Sequence, residues 1–188
     1  MDTDSPLKDE RRLHILDAAA ELLAIKPTAS LADIATHAHI GKATLHRYFS
    51  TREALLIELA YRALNLVSDV ITACRLDQDP APIALGRLAE ALVPHGDKWY
   101  FLLNEHFWDV HSDLIQAEEK VQAPILALIE RGQAEGTFRH DISATWMIYM
   151  LDFTMFAAWQ AIFDGTIARR DAPRLVMDGL LGGIMTKT

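Results

Sequence analysis

The sequence predicts an all-α protein: an N-terminal helix-turn-helix domain of three helices, joined by a long helix to a second α-helical domain. Three observations carry this. Apolar residues recur at helical spacing almost throughout, and no run alternates as a half-buried strand would. Caps, prolines and glycines punctuate the pattern where helices should start and stop. Between residues 42 and 52 an otherwise acidic chain carries Lys42, Arg47, Arg52 and His46, and no carboxylate.

Composition sets the bounds. The 188 residues are 51% hydrophobic, enough for a sizeable core, and the formal net charge is -8. The acidity is uneven: residues 1–62 hold 8 Lys and Arg against 9 Asp and Glu, and residues 63–188 hold 10 against 17. A single cysteine, Cys74, excludes an intramolecular disulfide and a zinc-finger framework. The charged start MDTDSPLKDERR does not read as a secretory signal, and a cytoplasmic location fits. No GxSxG, Walker or dinucleotide-binding pattern is present, so the expectation is not an enzyme.

The first helix spans about Lys8 to Ala24, with Ile15, Ala19 and Leu22 on one stripe, and Lys26-Pro27 ends it. Ser30 opens a short second helix, with Asp33 three residues on as in a capping box. The third runs from Gly41 or Lys42 to about Phe49. Leu45 and Phe49 face the core, and Lys42, Ala43, His46 and Arg47 lie opposite. Ser50-Thr51-Arg52-Glu53 starts a long fourth helix to about Cys74. The expected boundary therefore gives a helix-turn-helix domain over 1–50 and a second domain over 51–188, with 51–75 as the connecting helix.

Asp79-Pro80 caps and starts the fifth helix, which Pro94-His95-Gly96 ends. Asp97 caps an aromatic helix to about Val110. Ser112 caps the next, with Pro124 expected to kink it and Gly136 to close it. A strongly apolar helix follows from about Ile142 to Phe163. Its stretch WMIYMLDFTMFAAWQAIF contains Asp152 and has no basic flank at its start, so it reads as a helix buried on most of its circumference rather than a membrane span. A last helix covers about Ala172 to Met185.

Two short helices joined by His39-Ile40-Gly41, the second with a polar outer face, read as a helix-turn-helix. An α-helix fits the major groove of duplex DNA, where Lys and Arg gain by releasing phosphate counterions and can pair with guanine edges. Phosphates would repel carboxylates, which accounts for their absence. Arg52, at a helix N-terminus, is placed to meet a phosphate. Three cations alone are also what an ordinary solvated helix face carries. A helical interaction module without DNA binding would leave that face unexplained.

The residues Asp33-Ile34-Ala35, Ile40, Lys42, Thr44-Leu45, Tyr48-Phe49 and Arg52-Glu53-Ala54-Leu55 resemble the N-terminal signature of TetR/AcrR-type transcriptional regulators. The resemblance implies a ligand-responsive regulator, a repressor released from its operator, with Lys42, Ala43, Thr44, His46, Arg47, Tyr48 and Arg52 at the DNA. The chain departs from that pattern at His39, where glycine is usual, and at His46-Arg47, where Tyr-His is usual. The second departure bears on which operator is read.

Of 15 aromatic residues, 12 fall between Trp99 and Phe163, including all four tryptophans. Packed core and a cavity for an apolar or aromatic small molecule both fit that concentration. The resemblance implies an effector pocket, with Trp99, Leu103, His106, Phe107, Trp108, Trp146, Tyr149, Met150 and Phe153 as lining, and His111 and Asp152 as further polar anchors. His106, Asp109 and Asp113 could share a metal only if a loop gathered them; no ligand motif supports it, and no metal or cofactor is expected. Gly179, Gly182 and Gly183 in the last helix suggest close approach of another helix. The resemblance implies a homodimer on a palindromic operator, its interface including Trp159, Gly179, Gly182 and Gly183, and no membrane partner.

Overall fold

The computed structural model describes residues 5–96 and 111–185. All the regular elements among them are helical. They are α1 (Ser5–Ile25), α2 (Leu31–His37), α3 (Lys42–Tyr48), α4 (Arg52–Cys74), α5 (Ala81–Leu92), a 3-10 turn (Val93–His95), α6 (Ser112–Ala134), α7 (Ala144–Phe163) and α8 (Ala172–Ile184). Strand geometry is confined, among these residues, to an isolated bridge between Phe138 and Met185. No described helix is long and apolar enough to cross a membrane. The aromatic helix expected over 97–110 lies outside the described residues.

The described chain divides into two compact units, one of residues 5–63 with 111–115 and one of 64–96 with 116–185. The division falls within α4, after Ala63, and Leu55, Leu56, Leu59 and Ala60 on the first-unit side are buried.

The first unit is built on α1, which buries Ile15, Leu16, Ala18, Ala19 and Leu23 and ends before Pro27. The capping box forms as its residue types require. Ser30 Oγ accepts from the Asp33 amide at 3.2 Å, and the Ser30 amide donates to Asp33 Oδ2 at 2.8 Å. The Ser30 amide and hydroxyl, both donating to Asp33 Oδ2, and then Lys26 hold this carboxyl at about 2, below the usual 3.8. The turn after α2 puts His39 at φ 55, the left-handed region where glycine is the unstrained choice. There the Ile40 amide donates to the Ala35 carbonyl at 2.9 Å, which closes the turn.

The second unit pairs α7 with α8, and α8 packs on α5. The α5 stripe of Ala81, Ala84, Leu85, Leu88 and Ala89 is wholly buried. Asp79 does not cap α5: its carboxylate takes the Arg87 guanidinium instead, and Pro80 stands at the N-cap. Arg131 fastens the 76–79 turn to α6 by donating to the carbonyls of Leu76, Asp77 and Asp79. Pro124 lies inside α6, which continues through it, and the helix begins with Ser112 already in its first turn. The His111 carbonyl accepts from the Leu114 and Ile115 amides.

One contact in this unit leaves no tolerance. Trp159 is buried and donates through Nε1 to the Val93 carbonyl at 3.0 Å. Its indole lies so close to Gly96 that a Cβ built there would sit 1.5 Å from Nε1. Gly96→Ala should therefore destabilise the chain by ~1–3 kcal/mol or more, since the ring cannot retreat without losing its hydrogen bond. Urea titration followed by circular dichroism checks this; an unchanged midpoint would contradict it.

Candidate nucleic-acid interface and effector region

The seven-residue α3 has two sides. Leu45 is fully buried and Phe49, just past its end, is 1% exposed. Lys42, Ala43, His46 and Arg47 are exposed, and Thr44 and Tyr48 are half-buried. The structure thus brings Lys42, Ala43, His46 and Arg47 to one solvent face, as helical spacing requires. The Arg47 guanidinium also lies 5.6 Å from the Tyr48 ring centroid, a cation–π distance.

Three other cations of this unit are paired. In the same unit Arg12 is held by Glu58, Lys26 by Asp33 at 3.3 Å, and Arg62 by Asp17 at 2.7 Å. Among the described residues, no carboxylate pairs with Lys42 or Arg47. Their charges remain available to an external anion, whereas Arg12, Lys26 and Arg62 are held in internal pairs. Sequence reasoning missed the Arg12 arrangement: its guanidinium lies 4.8 Å from the centroid of the Phe49 ring, just past the end of α3. Arg12 and Glu58 are 46 residues apart, and no local pattern links them.

Arg52 departs from expectation. Its guanidinium turns inward, where Nη2 donates to the Pro27 carbonyl at 2.7 Å and Nε to the Ala29 carbonyl at 3.1 Å. Carbonyls in the turn before α2 offer fixed acceptors for a planar fork, so the side chain binds backbone of its own unit rather than standing free for a phosphate.

In the second unit the expected pocket lining separates. Trp99, Leu103, His106, Phe107 and Trp108 lie outside the described residues, as does Asp109. Trp146, Tyr149 and Phe153 are 57%, 51% and 70% exposed, and with Met150 they line a shallow apolar groove of about 360 Å³. The helix expected to be buried on most of its circumference therefore buries one stripe, Met147, Ile148, Leu151, Met155, Ala158 and Trp159, and shows an aromatic face to solvent. His111 is not an anchor in this unit: its Nε2 lies 3.0 Å from Glu53 Oε1, in the first. No group of three or more His, Cys, Asp or Glu among the described residues could hold a metal ion.

The glycines of α8 separate in the same way. A Cβ at Gly183 would lie 2.8 Å from Met150 Cε and one at Gly179 3.8 Å from Thr154 Cγ2, whereas one at Gly182 meets nothing within 4 Å among the described residues. Gly183 and Gly179 therefore face α7 of their own chain, and Gly182 faces out. Trp159, placed at the interface by the sequence reading, is core of its own unit instead.

Asp152 on α7 is a half-buried acid. Burial first, and the charge of Glu118 on α6 second, hold its carboxyl at about 7, against 3.8 for a free aspartate. Glu118 is raised as well, by burial and by Glu119. Neither acid has an ion pair among the described residues. Glu118 was not singled out by the sequence, because it sits in an ordinary amphipathic stretch, QAEEK.

The description "Bacterial regulatory proteins, tetR family" matches residues 15–59, from α1 into α4. The HTH-type transcriptional repressor LfrR of Mycolicibacterium smegmatis is 30% identical over 97% of this chain and 95% of its own length. The HTH-type transcriptional regulator NfxB of Pseudomonas aeruginosa is 32% identical over 72% of each. The crystal structure of the TetR-like transcriptional regulator LfrR from Mycobacterium smegmatis in complex with proflavine superposes with a TM-score of 0.81 and 29% identity, covering 96% of this chain and 99% of that one. The family match falls on the helices gathered around Leu45 and Phe49, and likeness to LfrR runs almost end to end: this chain belongs to the TetR family of bacterial transcriptional regulators.

Proposed function

We propose that the protein is a ligand-responsive transcriptional repressor. It reads a palindromic duplex operator as a homodimer and releases it on binding a planar aromatic effector. The observation that carries the DNA reading is the exposed face of α3, where Lys42 and Arg47 have no carboxylate partner among the described residues. In the groove Arg47 would meet base edges and Lys42 a phosphate or a guanine. Selection from random duplex oligonucleotides tests it. A palindromic site should emerge, with affinity falling steeply between low and physiological salt. Arg47→Ala should lower operator affinity by ~1–3 kcal/mol and leave non-specific affinity nearly unchanged. Recovery of no sequence, or binding indifferent to salt, would remove the reading.

The exposed aromatic face of α7, and the open side of α8 at Gly182, support pairing with a second copy. Apolar patches of this kind on a regulator are seats for partners. Gly182→Trp should leave the single chain folded, since nothing among the described residues stands within 4 Å of a Cβ there, and shift sedimentation from dimer toward monomer. An unchanged dimer would move the interface elsewhere.

LfrR binds proflavine, a planar aromatic cation. In this chain Glu118 and the deprotonated form of Asp152 supply negative charge that no cation pairs among the described residues, which suits an effector of the same chemistry. Proflavine should quench tryptophan emission and release the operator, and quenching without release would separate binding from regulation.

Burial of Asp152 also sets a pH dependence. A carboxyl at about 7 when folded and 3.8 when unfolded binds more protons in the folded state between those values, so its contribution to stability falls as pH rises through that window. Asp33 and Asp141, both lowered to about 2, act oppositely and only at lower pH. Asp152→Asn should therefore gain melting temperature over the parent progressively from about pH 4 to pH 7, with little difference below. A pH-independent difference would contradict the assignment.

A further inference from the structure

We propose that Arg52 is a positioning residue of the DNA-reading unit, whose guanidinium closes residues 27–52 into a hydrogen-bonded ring that fixes the angle of α3. This rests on the DNA reading above and reassigns a cation that the sequence placed against phosphate. The fork donates from Nη2 to the Pro27 carbonyl at 2.7 Å and from Nε to the Ala29 carbonyl at 3.1 Å, across 25 and 23 residues of chain. Its acceptors stand immediately before Ser30, the N-cap of α2. Arg52 is itself the first residue of α4. Everything between, α2, the His39 turn and α3, is enclosed by that one side chain.

The enclosure matters because α3 cannot orient itself. It has seven residues and buries only Leu45 along its length, so its direction follows from the elements at its two ends. At one end the Ile40 amide ties the turn to Ala35 on α2. At the other, Phe49 is buried three residues before Arg52. The start of α2 is set by the capping box and by Lys26 on Asp33. Arg52 joins that start to the start of α4, so a shift of either is passed to α3. Arginine suits the task because a planar fork reaches two carbonyls at once; a lysine ammonium keeps the charge but is a point donor on a flexible stem. A small tilt of a recognition helix moves side chains off base edges while leaving cations near phosphates.

The test compares the full-length parent, Arg52→Lys and Arg52→Ala on the selected operator and on an unrelated duplex, across a salt series, with active fractions fixed by stoichiometric titration. A positioning role requires Arg52→Lys to lose operator affinity by about tenfold or more. It also requires Arg52→Lys to hold non-specific affinity within about twofold and to keep the parent slope of log affinity against log salt. A phosphate contact gives the contrary pattern and would overturn the inference: Arg52→Lys binds like the parent, and Arg52→Ala weakens both duplexes with a slope smaller by about 0.9. Unchanged affinity per active molecule with a lowered melting temperature would also overturn it, as would loss of the fold in both variants, since either makes the fork an element of stability alone. If the parent binds no duplex, the DNA reading and this inference fall together; if the parent binds and Arg52→Lys is unimpaired, only this inference falls.

Discussion

The first unit depends on the seating of Leu45 and Phe49. A helix of seven residues has no standing in water by itself, since nucleation costs more than so few hydrogen bonds return. α3 exists because Leu45 is fully buried and because Phe49, just beyond it, lies beneath the Arg12 guanidinium that Glu58 holds in place. α2 packs on α1 and α3 on α2, and Arg12 of α1 covers Phe49. With the inner side so committed, the outer side is left to Lys42 and Arg47, which no carboxylate pairs among the described residues.

The second unit solves a different problem. Its helices bury ordinary apolar stripes, yet α7 has more aromatic surface than its own chain covers. Trp159 and Trp146 show the contrast within one helix: the first is buried with its N–H bonded to Val93, the second is 57% exposed. The acids Asp152 and Glu118 add a second unbalanced feature, two carboxyls in partial burial with no ion pair among the described residues. Protonation of Asp152 relieves it in the free protein.

Much of this was legible in the sequence, and the divisions follow range of interaction. The all-helical class, the Ser30–Asp33 cap, the end of α1 at Lys26-Pro27 and the two-sided α3 are set by neighbours within four residues, and all of them stand in the structure. The left-handed His39 was legible for the same reason, from the residue type usual at that place in the family. What escaped depends on distant partners. Nothing near Arg52 announces Pro27 and Ala29 as its acceptors, and nothing near Arg12 announces Glu58. The aromatic richness of 146–163 could be counted, but which residues face outward depends on α8 crossing α7 at Gly183 and Gly179. Asp79 looked like a cap and became a partner of Arg87 because a guanidinium eight residues on competes for it.

The separation of duties within α3 bears on how such a protein changes over generations. Lys42, Ala43, His46 and Arg47 touch solvent, and the contacts that hold the helix pass through Leu45, Phe49 and the turns at either end. Substitutions on the outer face leave the frame intact, and so they are filtered by what they bind and hardly at all by whether the chain folds. A lineage can therefore retarget this scaffold through a few surface codons after a gene duplication, while the buried residues beneath drift slowly.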